Sequence, residues 1–457
     1  MLLSKKAPVT ILALCVTLLP LLAGCGTDNT PTVPAAAGAT NTPAGSSAGA
    51  TNTAGSSAGA TDTPAMSNTI GSSGASTTLT FWNGFTGSDL PGVQAVTKKF
   101  TDANPKIKVS MDVQPWDTLM QKLLSSMSTG TGPDVVAIHF QYIPQYAKSG
   151  LVMDLSSEIK AGGDLDPSVW PSALNDLLQY NGKYYATPLN YATLMLYYHK
   201  DLFTAAGITA PPTTWAEWQS DIKKLTKADG SQYGIAFGEH DTIPNYPILL
   251  WENGGDIVKD GKPALSSPES VSALKTWTDL VKNDKISPVG LSGAESDKLF
   301  ETGKAAMEIT GPWATSGYDK DGFDYDVAPI PAGPAGAFTL ADTVVLMVNA
   351  KTQNKDAAIQ FIKHWNSKDS QVTLSSMTGF PPTRTDLAND PTLAKNKWVP
   401  KFASVAPQSR FYLPGLEKFS QIDTDVFVPM IQSITLGKAT VEDATKNADQ
   451  QIADLLK

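Results

Sequence analysis

From Thr77 onward the spacing of apolar positions switches between two periods. "TLTFW" (78–82) alternates as a strand does. The stretch opened by "GSDL" then places Val93, Val96 and Phe100 on one face at helical spacing, until Asn104-Pro105 ends it. "IKVSMDV" (107–113) returns to period two, with Ile107, Val109, Met111 and Val113 on one side. "WDTLMQKLLSSMSTG" (116–130) gathers Met120, Leu123, Leu124 and Met127 into a helical stripe closed by Gly130. "GPDVVAIHF" (132–140) is a short continuous apolar run. Strand, helix, strand, helix, strand predicts a parallel sheet with helices on its faces.

The same reading continues beyond Leu202. "PPTTWAEWQSDIKKL" (211–225) predicts a helix that begins on a capping box, Thr214 with Glu217, and buries Trp218, Ile222 and Leu225. "YGIAF" (233–237), "KAAMEI" (304–309) and "ADTVVLMVNA" (341–350) read as strands. "KDAAIQFIKHW" (355–365) and "VEDATKNADQQIADLL" (441–456) read as amphipathic helices. The chain is therefore α/β, and 457 residues exceed what one core comfortably serves.

The first 76 residues break this pattern. Lys5 and Lys6 precede an apolar segment, Val9 to Leu22, too short for an ordinary membrane span. From Gly26 to about Ser76 the chain is Gly, Ala, Ser, Thr, Asn and Pro, with "AGSSAGATNT" (44–53) followed at once by "AGSSAGATDT" (54–63). Such a segment buries too little apolar area to offset its ordering entropy, and it predicts a flexible tether.

Charge and cysteine content narrow the function. Net charge is −9 and no basic run exceeds a Lys-Lys pair, which speaks against nucleic acid or an anionic membrane surface as partner. The two cysteines, Cys15 and Cys25, both lie before the tether, so the folded part has neither disulfide nor thiol chemistry. The four histidines, His139, His199, His240 and His364, share no metal-ligand spacing, and no metal or cofactor is expected. There is no Walker-type loop, dinucleotide fingerprint or Gly-x-Ser-x-Gly elbow. A pair of carboxylates meeting in space stays open as an alternative, since one sequence does not exclude it. Binding rather than catalysis is the expectation.

In parallel sheets ligands sit at the carboxyl ends of the strands. Here those ends are the loops around Gly84 to Asp89, Gln114 to Trp116 and His139 to Gln141. Asp89 serves there as a ligand contact or as the N-cap of the next helix, and Thr86 and Ser88 share its loop. Trp82 is nearer the strand end than Phe81. Trp116 lines a site or packs on the helix it starts. One further place is unusual. In "FETGKAAMEITGPW" (300–313), Gly311 and Pro312 stop an apolar run, and Trp313 sits just past the strand end on a turn.

Several ordered stretches resemble known families. Leu22-Ala23-Gly24-Cys25 resembles the lipobox of bacterial lipoproteins, which implies a signal peptide over 1–24 and a lipidated Cys25. From about Thr77 the chain resembles the extracellular solute-binding proteins of ABC importers, the maltose-binding-like class. The likeness rests on "FWNGFTGSD" (81–89), "GPDVVAIHFQYIPQYAKSGLVMDL" (132–155), "PLNYATLMLYYHKDLFTAAGITAPPTTWAE" (188–217), "WENGGDI" (251–257) and "FETGKAAMEITGPW" (300–313). It implies a two-lobed periplasmic-binding-protein-like fold with hinge crossovers, each lobe a mostly parallel sheet flanked by helices. The expected divisions are 25–76 as lipidated Cys and disordered linker, 77–187 plus 341–371 as one lobe, and 188–340 plus 372–457 as the other.

It also implies an extracytoplasmic, membrane-anchored monomer that captures a sugar between the lobes and hands it to a permease. A glycerol phosphoester as ligand and a surface-anchored carbohydrate-active enzyme are the alternatives. The resemblance turns Trp313 toward the cleft as a platform for a sugar face, where apolar C–H groups need an aromatic partner and hydroxyls need polar ones. It adds His139, Gln141, Asn190, Tyr191, Trp251, Asn253, Gly311 and Asp342 to Trp82, Thr86, Ser88, Asp89 and Trp116 as candidate contacts. Arg384 suits an anionic ligand or a structural salt bridge.

Overall fold

A computed structural model of the chain describes residues 66–240 and 244–457. The expected signal peptide, Cys25 and the repeats of the tether lie outside the described residues. Along the chain the elements that position the site are β1 (Met66–Ile70), β2 (Thr77–Asn83), α1 (Leu90–Ala103), β3 (Ile107–Val113), α2 (Trp116–Thr129), β4 (Val135–His139), β5 (Thr187–Pro188), β6 (Ala192–Thr193) and β7 (Met195–His199). They continue with α3 (Trp215–Leu225), α4 (Gly293–Glu301), β8 (Met307–Thr310), α5 (Thr315–Asp321), β9 (Tyr325–Ala328), β10 (Thr339–Asp342), β11 (Val344–Val348), α6 (Lys355–Trp365), α7 (Lys368–Thr378) and β12 (Ser409–Phe411).

The first sheet has six strands in the order β1-β3-β2-β4-β11-β5. Its centre is parallel, with Phe81 opposite Met111 and Val135. Leu79, Phe81, Val109, Met111 and all of Val135–Ile138 are buried there, together with Val93, Val96 and Phe100 of α1 and Phe361 and Trp365 of α6. The alternation of β3 is observed as predicted, because each of its even steps faces this core. Both edges of the sheet are antiparallel: β1 on β3, and β11 on β4 and β5.

The second lobe is built around Trp218, Trp277, Leu196, Met307 and Ile309. Thr214 and Glu217 cap α3 reciprocally, as the sequence indicates, with Glu217 N donating to Thr214 Oγ1 at 3.3 Å and Thr214 N to Glu217 Oε2 at 3.2 Å.

Four expectations need correction. The tether does not run unstructured to residue 76, because Met66–Ile70 pairs with Val109–Val113. Its side chains are mostly exposed, with Ile70 the one that packs against the first core, so no apolar alternation announces it. Neither sheet is mostly parallel: three of the five pairings in the first are antiparallel, and in the second lobe β8 and β9 both flank β7 antiparallel. "YGIAF" contributes only isolated parallel bridges, Tyr233 to Ala305 and Ala236 to Glu308. Finally, the expected division at 371/372 cuts through α7, whose Leu374 is buried in the first core.

The chain passes between the lobes at 188–195 and 339–344, and these two crossings run side by side. Ala341 pairs with Thr193 and Asp342 with Ala192. Asn190 ties them: its Oδ1 accepts from Val344 N at 2.9 Å, and its carbonyl accepts from Thr343 Oγ1 at 2.6 Å. Two short β connections buried in this way give a bend point with few free backbone groups.

Candidate ligand-binding site

Beside these crossings lies a cavity of about 280 Å³. The β2–α1 loop, the starts of α2 and α4, the ends of β4 and β10, and the turn after β8 all reach it. Four aromatic rings line it: Phe85, Trp116, Trp313 and Phe380.

Both indoles lie over a glycine. A Cβ on Gly84 would stand 2.0 Å from the Trp116 ring, and one on Gly311 would stand 2.0 Å from the Trp313 ring. Gly311 has φ −106° and ψ −174°, which any residue adopts, so space and not backbone freedom calls for glycine. Trp116 meets the His139 ring edge-on at 4.5 Å and Phe85 at 5.3 Å. Trp313 is half-buried, with Phe380 at 6.5 Å. Its turn is held from below by Tyr197, whose hydroxyl donates to the Gly311 carbonyl at 2.6 Å.

The polar wall is acidic. Asp89, Asp117, Asp297 and Asp342 line the cavity, and no Lys or Arg does among the described residues. His139 Nδ1 and Asp342 Oδ2 are 2.7 Å apart, both residues buried, and the pair joins the ends of β4 and β10. The other side-chain polar atoms of this pair, His139 Nε2 and Asp342 Oδ1, have no hydrogen-bond partner among the described residues. Burial pushes the Asp89 carboxyl up to about 7 against the pull of the Asp89 and Leu90 backbone N–H groups, and the charge of Asp297 adds to the rise. Burial likewise raises Asp297, to about 6, against hydrogen bonding from Thr310, Glu308 and Trp313. Asp89 occupies the N-cap position of α1 without a side-chain capping bond, and its carboxyl lines the cavity next to its own and the Leu90 backbone N–H.

Of the candidates named from sequence, Thr86, Asp89, Trp116, His139, Asn190, Trp313 and Asp342 come together on this wall. The others lie elsewhere, each for a local reason. Trp82 points to the opposite side of β2, under Lys122 Nζ at 4.3 Å from its ring. The Ser88 hydroxyl donates to the Trp313 carbonyl at 2.7 Å and so joins the two loops instead of lining the cavity. Gln141 is 1% exposed, in the turn after β4. Tyr191 has its hydroxyl 3.1 Å from Ser409 Oγ. Trp251 is in the second core with its indole N–H on Asp256 at 3.1 Å, and Asn253 donates to the Glu269 carbonyl at 2.7 Å. Gly311 lies beneath the Trp313 ring.

Phe85, Asn245, Asp297, Thr310 and Phe380 also line the cavity and were not among the candidates. Asp297 looks, in sequence, like any polar residue of an exposed helix. Phe380 follows Gly379, which ends α7 with φ 80°, and that break is the one signal that could have pointed to it.

The sequence profile described as bacterial extracellular solute-binding protein matches residues 95–401. The chain is 31% identical to a binding protein of Brucella abortus (strain 2308) over 379 residues, 79% of this chain and 89% of the relative. The chain belongs to the bacterial extracellular solute-binding proteins. Other members include the diacetylchitobiose binding protein of Streptomyces coelicolor, 28% identical over 69% of this solute-binding protein and 75% of the relative. A solved ABC transporter solute-binding protein of Thermotoga lettingae, bound with α-D-tagatose, superposes with a TM-score of 0.77 at 26% identity, covering 84% of this chain and all 100% of that one.

Proposed function

We propose that this solute-binding protein captures an uncharged sugar in the cavity between its lobes and delivers it to an ABC importer. The observation that carries the reading is the pairing of two indoles, each laid on a glycine backbone, with an acidic wall that holds no Lys or Arg among the described residues. A pyranose offers apolar C–H faces to rings and hydroxyl donors to carboxylates. An anionic phosphoester would meet Asp89, Asp297 and Asp342 with no Lys or Arg among the described lining residues to offset them. Arg384 does not supply one, because its Nε and Nη2 donate to Asp386 at 3.0 and 2.8 Å and its Nη1 to the Asn366 carbonyl at 3.0 Å. The relatives named for carbohydrates support the same class. The paired crossings act as the hinge about which the lobes close.

A thermal-shift screen tests the ligand class. Mono-, di- and oligosaccharides are compared with glycerol phosphoesters, since a ligand that binds the native state raises the melting temperature. At least one neutral sugar should raise it and the phosphoesters should not. Stabilisation by phosphoesters alone would refute the reading.

We further propose that Cys25 carries a lipid anchor and that the repeats after it act as a tether. Cys25→Ala should move the protein from the membrane to the soluble fraction with ligand affinity unchanged. Retention of the variant at the membrane would contradict the anchor.

A further inference from the structure

Behind the Trp313 turn is a carboxyl group that the cavity itself does not expose. Glu308 is on β8, two residues before Thr310 and therefore on the same face of the strand. It is 0% exposed. Tyr318 of α5 donates its hydroxyl to Glu308 Oε1 at 2.7 Å. No N–H or hydroxyl among the described residues reaches Oε2, which is also buried. The carboxyl of Asp297, from α4, stands within hydrogen-bonding reach, and Tyr197 of β7 and Tyr325 of β9 are the other ionisable groups that face it. No cation is among its partners in the described residues.

An ionised Glu308 would leave one oxygen bare in the core and set two carboxylates against each other. A proton on Oε2 removes both problems, because a neutral acid donates where a carboxylate only accepts. We propose that Glu308 is a positioning residue: it keeps its proton and donates it as a hydrogen bond to Asp297, fixing that carboxylate at the cavity wall for a ligand hydroxyl. Thr310 and Trp313 also hydrogen-bond to Asp297, so one carboxylate links the buried acid to the indole platform. Burial raises Glu308 far above the ordinary carboxylate range, with the charge of Asp297 next in weight, in keeping with a retained proton. The role assigned to Asp297 rests on the sugar-binding reading; the protonation of Glu308 does not.

Infrared difference spectroscopy and calorimetric titration test the two parts separately. In the spectrum of wild type minus Glu308→Gln at pH 8, the carbonyl band of a protonated carboxylic acid should appear. Other buried acids are present in both proteins and cancel. Absence of that band would overturn the proposal whether or not any sugar binds. For affinity, Glu308→Gln keeps an acceptor for Tyr318 and an N–H donor for Asp297, and should bind the best sugar of the screen within about threefold of wild type. Glu308→Leu removes the donor and should weaken binding about tenfold. Equal affinity in the Leu variant, or a tenfold loss in the Gln variant, would show that Glu308 does not position Asp297. Should the Leu variant fail to fold, the Gln variant and the infrared band still decide. Wild type binding no sugar, with the band present, would defeat the ligand reading alone.

Discussion

Trp313→Ala should lower the affinity for the cognate sugar more than tenfold while the protein remains folded. The ring lines the cavity, is half-buried and lies over Gly311. Loss of a large aromatic contact in a binding site commonly costs about 2 kcal/mol or more. Folding has less at stake. Fully buried tryptophans such as Trp218 and Trp277 cost about 3–5 kcal/mol when truncated. Trp313 gives up only its inner edge, and the turn beneath it stays fastened by Tyr197 to the Gly311 carbonyl. Calorimetric titration together with a melting curve of the unliganded variant separates the two roles. Strong destabilisation with affinity retained would make the ring a core residue.

The second large effect concerns Asp89. The residue is 6% exposed, and burial raises its carboxyl to about 7 from an ordinary 3.8. In the folded state it therefore holds a proton over a range, roughly pH 4 to 7, where the unfolded chain has released one. Its contribution to stability falls as pH rises through that interval, by at most about 4 kcal/mol. Binding runs the other way, since a ligand hydroxyl donates best to the ionised form. Affinity should then rise from pH 5 to pH 8 while the melting temperature of the unliganded protein falls. Asp89→Asn should lessen both trends, leaving the part that Asp297 carries, raise the melting temperature at pH 8 and weaken binding about tenfold there, the worth of one hydrogen bond to a charge. A variant that melts lower than wild type at pH 8 and binds as well would show that Asp89 serves α1 and not the ligand.

The parts of the molecule legible in sequence are those set by local chemistry. The alternation of Ile107 to Val113, the Gly130 stop of α2 and the Thr214–Glu217 box each depend on residues close in sequence, and each is found in place. The strand-end rule also brings Thr86, Asp89, Trp116 and His139 to one wall, because parallel strands deliver their carboxyl-end loops to one side of the sheet.

What stays hidden depends on packing between distant segments. Strand β1 contributes backbone to an edge and little side-chain burial, so its sequence reads as tether. Trp251 and Trp313 both precede or follow a glycine turn. One belongs to a helix, Tyr246–Glu252, buried on every side, and the other to a turn at the cavity, a difference set by tertiary contact. The steric demand on Gly84 and Gly311 comes from rings placed over them. Asp297 owes its raised pKa to burial against the second lobe, which a helix pattern does not display.

The central claim is that the cavity beside the paired crossings holds an uncharged sugar on an aromatic platform. A crystal structure of the protein with the best sugar from the thermal screen tests it most directly. A sugar ring should lie in contact with Trp313, with hydroxyls on Asp89 and Asp297 and the lobes closed about it. A sugar bound outside this cavity, or a phosphoester occupying it, would contradict the account.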